Sequence, residues 1–204
     1  MKNVRFIGIT GGVGTGKSSV LEYIGAHYMC EIYLADDVAN RLKEKGNSCY
    51  DSIVGILGYD VLGEDGEIDK GRMAARIFSD EALLAKVNAV LHPATIRFLM
   101  DRYEEANKRA DIELFFVEAA LLIETGFLDI VDEMWYVYAH DEVRRRRLAA
   151  DRGYDDERIN RIFAAQLSEE EFREKCDFVI DNSGDFEDTR RQIDDRLNNF
   201  AMRA

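Results

Sequence analysis

The chain has 204 residues, 47% of them hydrophobic and 33% charged, with a formal net charge of −13 and a single proline. That length supports one sizeable core with room for a smaller inserted lobe, and the composition contains no low-complexity tract or fixed-period repeat. The acidic balance argues against broad contact with a nucleic-acid backbone, so any phosphate ligand has to be held by local positive charge.

The N-terminus carries only Lys2 and Arg5 before an apolar run, Val4 to Ile9, that reads as a buried strand and meets glycines at once. This is neither a signal peptide nor a spanning helix. The longest apolar stretch, Leu114 to Ile123, is broken by Glu118 and falls well short of the ~20 residues a bilayer requires. No membrane contact and a cytoplasmic location are therefore expected. Cys30, Cys49 and Cys176, odd in number and far apart, suit buried thiols rather than a disulfide framework or a zinc site.

After the first strand comes Gly11-Gly12-Val13-Gly14-Thr15-Gly16-Lys17-Ser18, followed by Ser19 and a helical stretch, Val20 to Ile24. It satisfies GxxxxGK[ST] in a strand-loop-helix setting, the arrangement of a phosphate-binding loop. The glycines let successive backbone N–H groups turn inward at the positive end of a helix and cradle phosphates. In such a loop Lys17 reaches the β- and γ-phosphates and the Ser18 hydroxyl holds Mg²⁺. ATP and Mg²⁺ are the expected cofactors.

Further strands are expected at Glu31 to Leu34, Glu113 to Val117, Glu133 to Tyr138 and Asp177 to Ile180. Their alternation with helical segments, and their apolar character on both faces, indicate a parallel sheet covered by helices. From about 43 to 109 there is no strand pattern, only helical stretches such as Met73 to Phe78 and Ala94 to Ala106, with a turn at Gly63 to Gly66 and Pro93 opening a helix. This reads as a helical substrate lobe. A second helical stretch, 141–175, rich in arginine, reads as a lid; 1–42, 110–140 and 176–204 form the core of a single unit, which closes with an amphipathic helix over Phe186 to Met202.

The Asn-Lys-x-Asp guanine signature of a GTPase is lacking, since Asn107-Lys108-Arg109-Ala110 has no aspartate. A small-molecule kinase is the natural use of a loop, an acceptor lobe and an arginine-rich lid of this size. Rivals are a kinase for another small hydroxyl acceptor, such as a nucleoside or sugar, and a nucleotide-binding regulator that has lost catalysis.

The phosphate loop from Thr10 to Ser18, Ala35-Asp36, Leu91-His92-Pro93, Leu121-Leu122-Ile123-Glu124, Arg152 with Gln166, and Asp177 to Gly184 come in an order that resembles the dephospho-CoA kinase family over essentially the whole chain. The resemblance implies an α/β, three-layer P-loop kinase fold with a five-stranded parallel sheet in the order 2-3-1-4-5. It also implies transfer of the ATP γ-phosphate to the ribose 3′-hydroxyl of dephospho-CoA by a monomer or weak homo-oligomer. Asp36 resembles the family's catalytic aspartate; an Asp there also suits a helix N-cap, and the two roles are compatible. Where the family has Asp-Ala-Asp this chain has Leu34-Ala35-Asp36, with Asp37 following. Glu118, at the end of the third strand, takes the place of a family aspartate and is expected to touch Mg²⁺ through water, or else to be a structural acceptor.

Four consecutive arginines, Arg144 to Arg147, fan about 100° apart on a helix, so only two can face the phosphates. Arg144 and Arg147 share a face, and Arg152 resembles the lid arginine. Arg144 is expected on ATP, Arg147 and Arg152 on the transferred phosphate, and Arg145 and Arg146 in solvent. His92, Leu121 and Leu122 are expected at the acceptor substrate. Asn182, Ser183 and Gly184 are expected near adenine, or else to form a plain turn.

Overall fold

The computed structural model describes residues 4–78, 80–120, 122–123 and 126–201. The chain divides into two compact units, Met1–Ile32 with Ala106–Ala204, and Tyr33–Glu105. In chain order the elements are β1 (Arg5–Thr10), α1 (Lys17–His27), β2 (Cys30–Leu34), α2 (Ala35–Leu42), α3 (Tyr50–Leu57), α4 (Lys70–Phe78) and α5 (Glu81–Ala106). They continue with β3 (Leu114–Glu118), β4 (Glu133–Tyr138), α6 (Asp141–Arg152), α7 (Asp156–Ala164), α8 (Glu169–Lys175), β5 (Phe178–Asp181) and α9 (Phe186–Ala201).

The five strands form one sheet in the order β2-β3-β1-β4-β5. The registers of β1 with β3, β1 with β4 and β4 with β5 are parallel, Ile7 facing Phe116 on one side and Glu133 on the other. Each strand lies within one residue of its expected limits. They are strands because both faces are covered. Ile7, Ile9, Phe116, Trp135, Val137 and Ile180 pack under Val20, Leu21 and Ile24 of α1 and Ile193 and Leu197 of α9. On the opposite face Tyr136 stacks on Phe172 of α8, ring centroids 4.5 Å apart. Each such side chain contributes roughly 1.5–3 kcal/mol by leaving water, and together they fix the strand ends from which the functional loops emerge.

Of the three thiols, Cys49 is buried, and Cys30 and Cys176 are half-buried; all three are free. Burial pushes the Cys30 thiol up to about 11 and the Cys176 thiol up to about 12. They are inert at neutral pH.

The second unit is helical. Among the described residues its only β pairing outside the sheet is an isolated bridge between Leu62 and Ile68, which closes the expected Gly63–Gly66 turn. Its core draws on Val38, Leu42, Ile53, Val54, Leu57, Met73, Val87, Leu91 and Leu99. Two expectations are corrected here. Pro93 does not open a helix but lies inside the 26-residue α5. The buried residues Val87, Leu91, Thr95 and Leu99 run straight past it at four-residue spacing. Pro93 and Ala89, whose carbonyl loses its partner, sit on the exposed side, where water replaces the missing bond. Asp36 is not an N-cap: α2 begins at Ala35 with Leu34 as its cap residue, and Asp36 and Asp37 occupy the first turn. There they still meet the positive end of the helix dipole. Among the described residues no helix is long and apolar enough to cross a membrane.

Candidate active site

The loop between β1 and α1 is shaped by side-chain donors that hold its carbonyls. Arg144 Nε donates to the carbonyl of Val13 at 3.1 Å, and Arg147 Nη1 to those of Gly14 at 3.4 Å and Thr15 at 3.1 Å. Asn182 Nδ2 donates to Thr15 O at 2.7 Å. In a trans peptide N–H and C=O point opposite ways, so pulling the Val13 and Thr15 carbonyls toward these donors turns the amides of Gly14 and Gly16 away from them. The loop is braced further by Thr15 Oγ1, which donates to Gly12 O at 2.9 Å.

Gly16 shows why this backbone excludes side chains. Its φ of 93° is left-handed, and a Cβ there would lie 2.2 Å from Asn182 Nδ2. Gly16 is also the cap residue of α1, and no side chain closes that end. The first amides of α1 therefore present the partial positive charge that anions seek.

Lys17 Nζ donates to Gly11 O at 2.8 Å and lies 3.4 Å from Glu118 Oε1 at the end of β3. Gly12, Val13, Gly14, Gly16, Lys17, Ser18, Ser19, Glu118, Arg147, Arg152, Asn182 and Gly184 line one cavity of about 650 Å³, a size suited to a nucleotide. The motif residues, the β3 carboxylate, the α6 arginines and the turn after β5 are thus brought together. Ser18 is exposed to this cavity.

Helix α6 sorts its arginines by face. Arg144, besides its loop bond, donates from Nη1 to Asp141 at 3.1 Å and from Nη2 to Gln166 Oε1 at 2.7 Å, with its guanidinium 3.9 Å from the Phe163 ring centre. Arg147 Nη2 donates to Asn182 O at 2.9 Å. Burial lowers the pKa of both guanidiniums from the usual value, and Arg146 adds repulsion at Arg147. Arg145 bonds Asn160 Oδ1 at 2.7 Å, Arg146 is exposed, and Arg152 lines the cavity with an exposed side chain.

Asn182 is buried, and both ends of its amide are bonded, Nδ2 to Thr15 O and Oδ1 accepting from Thr189 Oγ1 at 2.9 Å. Ser183 Oγ accepts from the His140 amide at 2.9 Å. What this turn offers a ligand is Gly184 and backbone. Gln166, to which sequence reasoning gave no role, accepts from the Val13 amide at 3.3 Å. Its signal in the sequence is its pairing with Arg152 among the pieces that carry the family resemblance.

Leu122 has none of its surface exposed and packs as core, while Leu121 lies outside the described residues. In the helical unit His92 is exposed on α5, and Asp36 is exposed in the first turn of α2, within electrostatic reach of Lys43. Burial and the neighbouring Lys70 lower the Lys43 pKa, against which Asp36 works.

A bound Mg²⁺ fits this chemistry. Among the described residues no cluster of three His, Cys, Asp or Glu could hold a metal alone. Two hydroxyls, Ser18 and Ser19, and two carboxylates, Glu118 and Asp151, line the cavity. Such a sparse set suits an ion that keeps its waters and takes phosphate oxygens as ligands.

A family model described as dephospho-CoA kinase matches residues 5–188. The dephospho-CoA kinase of Geobacter sulfurreducens is 36% identical over 195 residues, covering 94% of this chain and 96% of that protein. That of Carboxydothermus hydrogenoformans is 34% identical over 191 residues, 92% and 90% of the two chains. Among solved structures, a Thermus thermophilus protein superposes with a TM-score of 0.80 at 32% identity, covering 97% of this chain and 98% of that one. Dephospho-CoA kinase from Campylobacter jejuni (TM-score 0.71, 19% identity, 98% of each chain) is alike in fold. So is shikimate kinase from Acinetobacter baumannii (0.55, 14%, 97% of this chain and 96% of that one).

Proposed function

The chain belongs to the dephospho-CoA kinase family, and we propose how its residues divide the work of phosphorylating dephospho-CoA with ATP to give CoA and ADP. The observation that carries the reading is the braced loop: carbonyls held by Arg144, Arg147 and Asn182, with Gly14 and Gly16 amides turned the other way. Such amides bind phosphate without reorganising.

Phosphoryl transfer needs alignment, neutralised charge and a proton acceptor. The backbone of Gly11 to Ser19 holds the triphosphate, and Lys17 leaves Glu118 to follow the migrating group. Arg152, whose guanidinium is exposed at the cavity, supplies charge to the transition state, and Arg147 acts beside it. Asp36 takes the proton of the attacking ribose 3′-hydroxyl. Ser18 and, through water, Glu118 hold Mg²⁺, which when bound neutralises charge on the β- and γ-oxygens. Gly184 and the backbone of Asn182 and Ser183 border the adenine, and His92 contacts the acceptor. Three free cysteines and the absence of a spanning helix among the described residues support a cytoplasmic enzyme.

The test is ADP formation by the purified chain with Mg²⁺ and ATP, comparing dephospho-CoA with nucleosides, sugars and shikimate. Dephospho-CoA should be preferred and CoA should accumulate stoichiometrically with ADP. Equal turnover of the other acceptors would defeat the substrate assignment, and ATP binding without transfer would favour a regulator.

A further inference from the structure

Gln166 lies in the short link between α7 and α8, and its side-chain oxygen is where two donors of different origin converge. One is the backbone N–H of Val13, inside the phosphate loop, at 3.3 Å; the other is Nη2 of Arg144, at 2.7 Å. An amide and a guanidinium aimed at one oxygen are the donor set that a phosphoryl oxygen takes in a helix-opening loop. The fit is close: a Cβ on Gly12 would lie 2.5 Å from Arg144 Nη2 and 2.8 Å from Gln166 Oε1. A second cavity, of about 380 Å³, borders Gly12, Arg144, Phe163 and Gln166 on the Tyr136 side of the loop. The carboxamide thus has somewhere to go if it leaves.

We propose that the Gln166 side-chain oxygen occupies a phosphoryl-oxygen position, making Gln166 an internal competitor of the nucleotide for the Val13 amide and Arg144. This rests on the nucleotide reading of the loop and extends it. A triphosphate entering the cradle displaces the carboxamide and inherits both donors, so Arg144 keeps an acceptor throughout. Without nucleotide, the same contact ties the α7–α8 link to the loop and leaves neither the buried guanidinium edge nor the amide unsatisfied. Gln166 is a positioning residue here, acting on affinity through the loop.

The experiment measures ATP affinity calorimetrically for the full chain and for Gln166→Ala and Gln166→Glu, each checked for folding by its thermal transition. Removing the competitor should tighten ATP about tenfold, the worth of one modest hydrogen bond. Gln166→Glu should weaken ATP at pH 7, because a carboxylate is the better acceptor and repels the phosphates. Beside the Arg144 guanidinium that carboxyl should be ionised at neutral pH. The weakening relative to wild type should fade as pH falls through its titration, a signature absent from Gln166→Ala. Unchanged or weaker ATP binding by a folded Gln166→Ala overturns the proposal. Should that variant not fold, a Gln166→Glu that binds ATP as wild type does at all pH values overturns it as well. A wild-type chain that binds no ATP, or Lys17→Ala binding it equally well, would instead defeat the nucleotide reading.

Discussion

Between Gly11 and Ser18 the backbone is held through its carbonyls by Arg144, Arg147 and Asn182 and, at Gly11, by Lys17. At Ala35–Asp37, by contrast, a short helix opens on Leu34 with no side-chain cap bond and two exposed carboxylates. In the proposed mechanism the first region binds phosphate by fixed dipoles, which lose value if they must rotate, and the fold surrounds them with donors. In the proposed mechanism the second bears Asp36 as proton acceptor at the chemical step, a task an exposed carboxylate serves with little support. If the contrast is right, damage to the two regions should differ in kind: the loop in nucleotide affinity, Asp36 in turnover.

The sharpest way to break the contrast is Asp36→Asn. Turnover should fall about 10²–10⁴-fold, the usual worth of a general base, with the calorimetric ATP affinity unchanged. Retained turnover would return Asp36 to a purely structural place in the first turn of α2. Gly16→Ala comes next. A side chain at φ 93° meets both left-handed strain and Asn182, costs of roughly 1–2 kcal/mol and about 1 kcal/mol. ATP affinity should fall about 30- to 100-fold while the fold, followed by circular dichroism, persists.

How much of this was legible in the sequence follows from the range of the contacts. The loop motif is local, since residues 11–18 carry both the glycines and the cation, and so are the β-strands, whose apolar runs announce themselves. The brace is not local. Arg144 meets Val13 across 131 positions and Asn182 meets Thr15 across 167. No spacing rule joins them. A guanidinium in a sequence reveals its charge but not the loop carbonyls that Arg144 and Arg147 hold. Leu122, expected as a substrate contact, is core with none of its surface exposed, and an apolar residue in a sequence does not say which of the two it is. Pro93 misled for the opposite reason: a strong local signal for a helix start was overridden by the four-residue apolar spacing that runs past it.

Arg147 sharpens the comparison further. If its work is to hold Gly14 and Thr15 carbonyls, Arg147→Met should raise the ATP dissociation constant about tenfold and leave single-turnover transfer at saturating ATP nearly intact. If it also touches the transferred group, as the proposed role beside Arg152 requires, transfer itself should fall by about 10³ or more. Comparing saturating and subsaturating ATP separates the two.

The smallest expected effect belongs to Glu118. Its carboxylate is 3.4 Å from Lys17 Nζ, with the two side chains 18% and 13% exposed; a glutamine keeps the size and an acceptor at that position, so the substitution should not unfold the chain. Glu118→Gln removes two influences of opposite sign. Lys17 loses a competitor for the triphosphate, so ATP without metal should bind a few-fold tighter. The water shell of Mg²⁺ loses an anionic acceptor, so the Mg²⁺ concentration for half-maximal turnover should rise a few-fold. Both are the scale of one partly solvated charge interaction. A variant in which metal-free ATP binding tightens with no change in Mg²⁺ dependence would reduce Glu118 to the keeper of Lys17. Shifted Mg²⁺ dependence with unchanged metal-free affinity would mean that the lysine reaches phosphate without first having to leave the carboxylate.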